Sequence, residues 1–137
     1  PKRDEIESAK KVRTRKDADK EFIKAYNDEK TMDRLIRLLS DSKPETLNLD
    51  QKETILYELK GKNPIKFIKI ARDKNLERKA EIEEMVSAGV LRKIGNQIIY
   101  IDEVLGETIE DTIVYMKSKK NSGTLTTLRA KLKEVVI

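Results

Sequence analysis

Carboxylate side chains are the best candidates for chemistry in this sequence, because it has neither histidine nor cysteine. Without these residues the chain has no imidazole base, no thiol nucleophile and none of the commonest transition-metal ligands. Paired carboxylates occur at three places, namely Glu83 with Glu84, Asp102 with Glu103, and Glu110 with Asp111. General acid–base work needs carboxylates that converge in a cleft, whereas adjacent residues of a helix or strand point in different directions.

Other catalytic signatures are also missing from the sequence. There is no GxxxxGK[ST] or GxGxxG phosphate-binding pattern and no metal-ligand spacing. We therefore predict that the protein is not an enzyme and has no catalytic residues, no cofactor and no metal. A metal-dependent nuclease is the alternative, and it would require side chains such as Asp102 and Asp111 to meet in space.

Basic residues form two local clusters in a chain whose formal net charge is +5. The basic excess is spread thinly, with 13 basic and 11 acidic side chains before residue 49, 11 and 10 up to residue 106, and 6 and 4 after it. The first cluster consists of Lys10, Lys11, Arg13, Arg15 and Lys16. The second lies between Lys117 and Lys133. Such clusters can bind phosphates, or they can simply be solvated helix faces.

An apolar stripe follows the first basic cluster. Met32, Leu35, Ile36 and Leu39 recur at the i, i+3, i+4, i+7 spacing of one helix face, and Thr31 is positioned to cap that helix. A preceding, highly charged helix has few large apolar residues near its end, namely Phe22, Ile23 and Tyr26. We predict that these seven apolar residues contact a partner. Packing of the stripe within the chain is an equally weighted alternative.

Turn and capping residues divide the chain into four segments. An N-terminal helical arm (1–40) is followed by a linker (41–48) around Pro44, a core (49–106) and two C-terminal helices (107–137). In the core, we expect an Asp50/Glu53 capping box, a helix end at Gly61, and an Asn63–Pro64 helix start. Asn75, which tolerates left-handed φ, and Gly89 should bound a third helix from about Leu76 to Ala88. The runs 90–94 and 97–101, joined by Gly95 and Asn96, predict a β-hairpin.

The core resembles the winged helix-turn-helix superfamily over residues 50–102. "FIKIARDKNL" resembles its second helix and turn, and "MVSAGVLRKIGNQIIYI" resembles the end of the recognition helix running into the wing. The fold class that we predict is therefore mainly α with a small β-hairpin. The resemblance implies phosphate contacts from the recognition helix and wing, and Arg78, Lys79, Arg92 and Lys93 are the cations at those positions. The helix is otherwise acidic, with Glu77, Glu81, Glu83 and Glu84, which would be repelled by a phosphate backbone.

These features predict a non-catalytic module that docks into a larger assembly of protein subunits. A small lysine-rich domain with a short wing and a helical tail is similar to accessory or virion proteins of tailed bacteriophages, which implies a location in the bacterial host cytoplasm or the phage particle. The alternative is a sequence-tolerant winged-helix protein that binds DNA or RNA. Its phosphate contacts would be the five cations of the first basic cluster and the four of the recognition helix and wing, namely Lys10, Lys11, Arg13, Arg15, Lys16, Arg78, Lys79, Arg92 and Lys93. No apolar run is long enough to span a membrane, so we expect an intracellular protein with neither a membrane nor a small-molecule substrate as partner. The chain begins with Pro, so it is expected to be processed or a fragment.

Overall fold

The computed structural model describes residues 2–136. Contacts between residues divide the chain into two compact units, the first ending at Leu76 and the second beginning at Glu77. This boundary falls inside the segment 49–106. The first two helices of that segment belong to the first unit, and its third helix and hairpin belong to the second.

The first unit is entirely helical. It consists of α1 (Lys2–Tyr26), α2 (Glu29–Leu39), a 3-10 helix (Pro44–Thr46), α3 (Leu49–Lys62) and α4 (Pro64–Ala71). Its buried core is formed by Ala18, Ala25, Met32, Leu35, Ile36, Leu56 and Phe67. The four α-helices therefore share one hydrophobic core, to which α1 contributes only its C-terminal half.

Short polar side chains start the helices of this unit, although not always those that we predicted. Asp28 is the N-cap of α2, and Thr31 lies inside the helix, where its hydroxyl donates to Asp28 Oδ2 at 2.8 Å. The capping box of α3 is formed by Asn48 and Gln51, each accepting a hydrogen bond from the other's backbone N–H. Asp50 and Glu53 were therefore the wrong pair, because the helix starts earlier than the apolar pattern indicates.

The predicted end of α3 needs correction, since the helix continues past Gly61 to Lys62. The predicted start of the third helix of the segment 49–106, at Leu76, is confirmed. Asn75 before it does not use the left-handed φ that it tolerates; its backbone N–H donates to the Asp73 carboxylate at 2.8 Å, which forms the turn. The predicted start of α4 is confirmed, since the Asn63 side chain accepts from the Lys66 N–H and Pro64 is the first helical residue.

The second unit combines helices with a small sheet. It consists of α5 (Leu76–Ser87, whose first residue is the last of the first unit), β1 (Arg92–Ile94), β2 (Gln97–Tyr100), β3 (Glu103–Gly106), α6 (Ile109–Lys117), a 3-10 helix (Lys119–Asn121) and α7 (Ser122–Val136). The strands are antiparallel in the order β1-β2-β3. The core lies between the sheet, α5, α6 and α7, and contains Ile82, Met85, Leu91, Ile98, Leu105, Ile113, Met116 and Leu128.

The hairpin between β1 and β2 is confirmed, and Gly95 in its turn has φ +61°. Gly89 after α5 also has positive φ, +81°. The sheet has a third strand, β3, that the sequence did not indicate. It ends at Gly106, where a Cβ atom would overlap the backbone nitrogen of Thr112 in α6. A glycine is therefore required where the strand passes close to the helix.

The predicted fold class is confirmed: the described chain is mainly helical, with a small antiparallel sheet. No helix within residues 2–136 is long and apolar enough to cross a membrane.

Candidate binding surface on the first helix

The two halves of α1 differ in what covers them. In the C-terminal half, Ala18, Glu21 and Ala25 are buried against the other helices of the first unit. In the N-terminal half, every side chain from residue 3 to residue 13 is exposed. At 1.5 Å per residue, this part of the helix extends about 15 Å without contacting the core of the unit.

Ion pairs attach the C-terminal half of α1 to α3 and α4. Lys60 Nζ of α3 donates to Asp19 Oδ1 at 2.6 Å. Arg72, which caps the end of α4, donates from Nε to Glu21 Oε2 at 3.1 Å and lies 3.7 Å from Asp17 Oδ1. All three acidic side chains between residues 10 and 24 are therefore paired with a cation from another part of the unit.

The basic residues of the same segment do not form ion pairs with the described residues of α3 or α4. Between residues 10 and 24 there are seven of them, and all are exposed. Among the described residues, only Lys24 of these seven is joined to a carboxylate by an ion pair, at 3.6 Å from Glu21 on the same helix. The internal pairing of the acids thus leaves a basic surface that the charge totals of the sequence did not reveal.

Four of these cations form a row, which we call the outer stripe. Arg13, Lys16, Lys20 and Lys24 follow one another at intervals of three, four and four residues. At 3.6 residues per turn they lie within about a quarter of the helix circumference and extend over about 16 Å. Ala18 and Ala25, the buried apolar residues of α1, lie on the opposite side of the helix. Positions 6 and 9, which extend the stripe toward the N-terminus, are Ile and Ala, so the stripe contains no acid.

The predicted aromatic contacts of α1 belong to a small cluster on the surface of the unit. The half-buried ring of Phe22 stacks on Tyr26 with centroids 6.3 Å apart and meets the edge of Tyr57 from α3 at 5.8 Å. Lys60 Nζ lies 4.3 Å from the centre of the Tyr57 ring, a cation–π distance. Ile23, Tyr26 and Tyr57 remain exposed, and Ile23 and Tyr26 stay predicted partner contacts.

The apolar stripe of α2 is located differently from our prediction. Met32, Leu35 and Ile36 are completely buried in the core of the first unit, and Leu39 is half-buried against it. They pack within the unit because α2 lies between α1, α3 and α4. The structure therefore supports the intramolecular alternative, and these residues are not a surface on which a partner can bind.

A buried lysine reinforces the position of α2. Lys52 of α3 is only 6% exposed, and its Nζ lies 2.9 Å from Glu29 Oε1 and 2.8 Å from Asp33 Oδ1, both on α2. Burial by itself lowers the pKa of the Lys52 ammonium, but the hydrogen bonds to Asp33 and Glu29 outweigh it and raise the pKa above its usual value.

Three of the four cations predicted on the wing and its preceding helix are engaged within the second unit. Arg92 Nη2 donates to the Ile101 carbonyl at 2.6 Å. Lys93 Nζ lies 3.1 Å from Glu83 Oε1, and Lys79 Nζ lies 3.8 Å from Glu110 Oε1. Arg78 is partly buried. The acidic α5 therefore neutralises part of the hairpin's charge.

The Ile101 carbonyl is held in an unusual conformation. Ile101 is the only described residue other than glycine with positive φ, +56°. This region is strained for a β-branched side chain, and the Arg92 hydrogen bond fixes the turn between β2 and β3. Arg92 thus has a structural role in this turn.

The paired carboxylates do not form a cluster. Asp102, Glu103, Glu110 and Asp111 are all exposed, and the Asp111 backbone N–H donates to the Thr108 hydroxyl that caps α6. In the part of the chain that the structure describes, no three acidic side chains are grouped so as to hold a metal ion.

Sequence reasoning missed several residues that shape the α1 surface. Lys20 and Lys24 lie outside the first basic cluster (residues 10–16), although the helical interval from Arg13 could have identified them. Lys60 and Arg72 are separated from their α1 partners by 41 and 51 residues. No local pattern in one sequence could have indicated those pairs.

Comparisons with protein-family models, with curated proteins and with solved structures found no match. The winged-helix and bacteriophage resemblances therefore stay predictions.

Proposed function

We propose that the protein is a non-catalytic binding module that docks into a larger assembly through α1. The observation that supports this most is the helical segment 3–13, which is exposed on every side while the rest of α1 packs on its own unit. Ordering a segment costs conformational entropy, and this one buries no apolar surface of its own unit in return. Docking would offset that cost, as it does for other segments that are ordered by a partner.

The sequence of the segment is suited to remain helical until it docks. Asp4 and Glu5 lie in its first turn, where the helix dipole favours acids. The packed half of α1 also removes the cost of nucleating the helix, which is the unfavourable step for a short isolated one. The segment is thus presented as a preformed rod, with Ile6 and Val12 as exposed apolar side chains.

The proposed setting is a virion or assembly complex of a tailed bacteriophage, on the resemblance in composition and element order given above. Ile23 and Tyr26 are the proposed apolar contacts of α1 nearest to the body of the unit. The buried residues of α2 have no part in this proposal.

The test compares the full chain with a variant that lacks residues 1–12, in cells that naturally produce the protein. The deletion removes four basic and three acidic side chains, so the net charge barely changes. We expect the full chain to sediment with large particles and the variant to sediment as a small protein. Co-sedimentation of both would contradict the proposal.

Amide hydrogen exchange tests directly whether a partner covers residues 3–13 in the assembly. In the isolated protein, residues 3–13 should exchange rapidly, since exposed helix amides open easily. In the assembled fraction they should be protected by orders of magnitude. Equal exchange in the two samples would mean that α1 is not the docking element.

The second candidate function is sequence-tolerant nucleic-acid binding. The observation that favours it is that Lys10, Lys11, Arg13, Arg15 and Lys16 are all exposed. The hairpin cations do not favour it, because they are engaged within the second unit.

A further inference from the structure

We infer that the outer stripe of α1 binds the phosphate backbone of double-stranded nucleic acid. This inference goes beyond the proposed function, since the stripe begins where the docking segment 3–13 ends. It assigns the contact to Arg13, Lys16, Lys20 and Lys24 rather than to the wing.

The first argument is the geometry of the stripe. Its four cations lie on one face of a continuous helix and are exposed. Their successive spacings are about 4.5–6 Å along the helix axis. A duplex presents fixed negative charges about three times more densely, one per about 1.7 Å of its axis over both strands, so each cation of the stripe can find a phosphate. A straight row of cations can therefore neutralise several phosphates at once.

The second argument is charge. Asp17, Asp19 and Glu21 could have neutralised the basic residues of α1, but they are paired with Lys60 and Arg72. Lys24 shares Glu21 at 3.6 Å, and its side chain is nevertheless 73% exposed. Folding of the first unit thus pairs Asp17, Asp19 and Glu21 with cations of α3 and α4 and leaves the stripe available to an anion.

The third argument selects a duplex among polyanions. Single-stranded nucleic acids are held largely by bases stacking on aromatic rings, and the stripe contains no aromatic residue. Helices that lie on membranes need large apolar side chains beside their cations. The exposed large apolar side chains beside the stripe, Ile6, Val12 and Ile23, are six and eleven residues apart and form no continuous apolar face. A rigid backbone of phosphates requires neither feature.

The test measures binding of the full chain to a labelled duplex of mixed sequence by fluorescence anisotropy, from about 50 to about 200 mM salt. If all four cations contact phosphates, they contribute about 3 to 4 to the slope of log affinity against log salt concentration, at about 0.9 per phosphate. We expect micromolar binding at the lowest salt and at least fivefold weaker binding to a single strand of the same length. Absence of duplex binding at the lowest salt, or equal binding of the single strand, would overturn the inference.

Two variants with equal charge changes locate the contact. The stripe variant replaces Arg13, Lys16, Lys20 and Lys24 by Gln, which is a good helix former. The control variant replaces four exposed lysines elsewhere in the first unit by Gln, namely Lys30, Lys62, Lys66 and Lys69. Circular dichroism should show that both retain the fold, because all eight side chains are exposed.

We expect the stripe variant to bind at least thirtyfold more weakly at about 50 mM salt, with the salt slope reduced by about 3. The control variant should lose less than fivefold and keep its slope. Equal losses in the two variants would show that binding follows net charge alone and would overturn the assignment. The proposed function is tested independently, because protection of residues 3–13 in the assembly without duplex binding would leave docking intact and remove only this partner.

Discussion

The first two helices of the protein differ in which of their faces the rest of the unit covers. α2 places its whole apolar stripe in the core, and Lys52 holds its first turns by two ion pairs. α1 contributes only Ala18, Ala25 and the half-buried Phe22 to the core of the unit, and ion pairs with α3 and α4 attach it further. The packing of α2 therefore contributes more to the stability of the first unit, and α1 provides more of the surface that a partner can reach.

The difference shows how apolar and charged patterns should be interpreted in such a chain. A strong apolar stripe indicates a buried face, and in a chain with a real core that face is usually satisfied internally. Exposed charges indicate a binding surface only when their counterions are engaged elsewhere. In the packed half of α1 the three acids are engaged and the bases are exposed, whereas on the hairpin the bases themselves are engaged.

The largest expected effect on stability comes from a substitution in the buried stripe of α2. Leu35→Asp places a carboxylate in a completely buried position, so it removes an apolar side chain and buries an unpaired charge. We expect the free energy of unfolding of the first unit to fall by more than about 4 kcal/mol. Hydrogen exchange followed by mass spectrometry would resolve this unit from the second.

The matched control for Leu35→Asp is Ile23→Asp on α1. Ile23 is 58% exposed, so the same carboxylate remains in water and the loss should be less than about 1 kcal/mol. If Ile23→Asp destabilised the unit as much as Leu35→Asp, the outer side of α1 would be part of the fold rather than a free surface.

An intermediate effect is expected at the ion pairs of α2. Lys52→Met keeps the packing of the aliphatic stem but removes the ammonium between Glu29 and Asp33. Water can solvate the largely exposed Glu29, but Asp33 Oδ1 is buried and loses its cation, so the loss should be about 2 to 3 kcal/mol, less than for a fully buried pair. Urea unfolding at neutral pH would measure it, with the exposed Lys66→Met as a control expected to change stability by less than about 0.5 kcal/mol.

The sign of the pH dependence follows from the raised pKa of Lys52. A raised folded-state pKa means that the ammonium stabilises the fold fully below the unfolded-state pKa, about 10.4. That contribution is lost as the pH rises through the folded-state pKa. The stability difference between wild type and Lys52→Met should therefore shrink in alkaline solution; a difference that grew with pH would contradict the assigned ion pairs.

Local signals in the sequence were sufficient for part of the fold. Asn63 and Pro64 start α4, and Gly95 makes the hairpin turn, because each depends on backbone conformation within a few residues. The stripe of α2 correctly indicated a buried face, but periodicity cannot identify what covers it. The third strand, Glu103–Gly106, is too short and mixed to stand out in a sequence pattern.

The candidate surface was less predictable, since it depends on contacts between distant residues. The first basic cluster, residues 10–16, lies on the helix that we propose as the binding element, and the stripe could be drawn from the helical interval. What makes the stripe a free surface is the pairing of Asp19 with Lys60 and of Glu21 with Arg72. Both pairs arise from tertiary packing, and one sequence contains no signal for them.

The smallest expected effect on stability concerns the exposed half of α1. Ala9→Pro removes a helical N–H and clashes with the preceding turn, which costs a packed helix about 3 kcal/mol or more. Residues 3–13 bury nothing in the unit, so the mutation should unwind the turns before residue 9 and leave the unfolding of the first unit unchanged within about 0.5 kcal/mol. Circular dichroism would record the loss of helix, and urea unfolding would record the stability.

Ala25→Pro is the control for Ala9→Pro, because Ala25 lies in the same helix but is completely buried. It should destabilise the first unit by about 3 kcal/mol or more. The outer stripe begins at Arg13, beyond the unwound turns, so Ala9→Pro should retain duplex affinity within about threefold while it abolishes docking into the assembly. Loss of stability in Ala9→Pro comparable to that in Ala25→Pro would show that α1 is packed along its whole length, and the contrast between α1 and α2 would no longer hold.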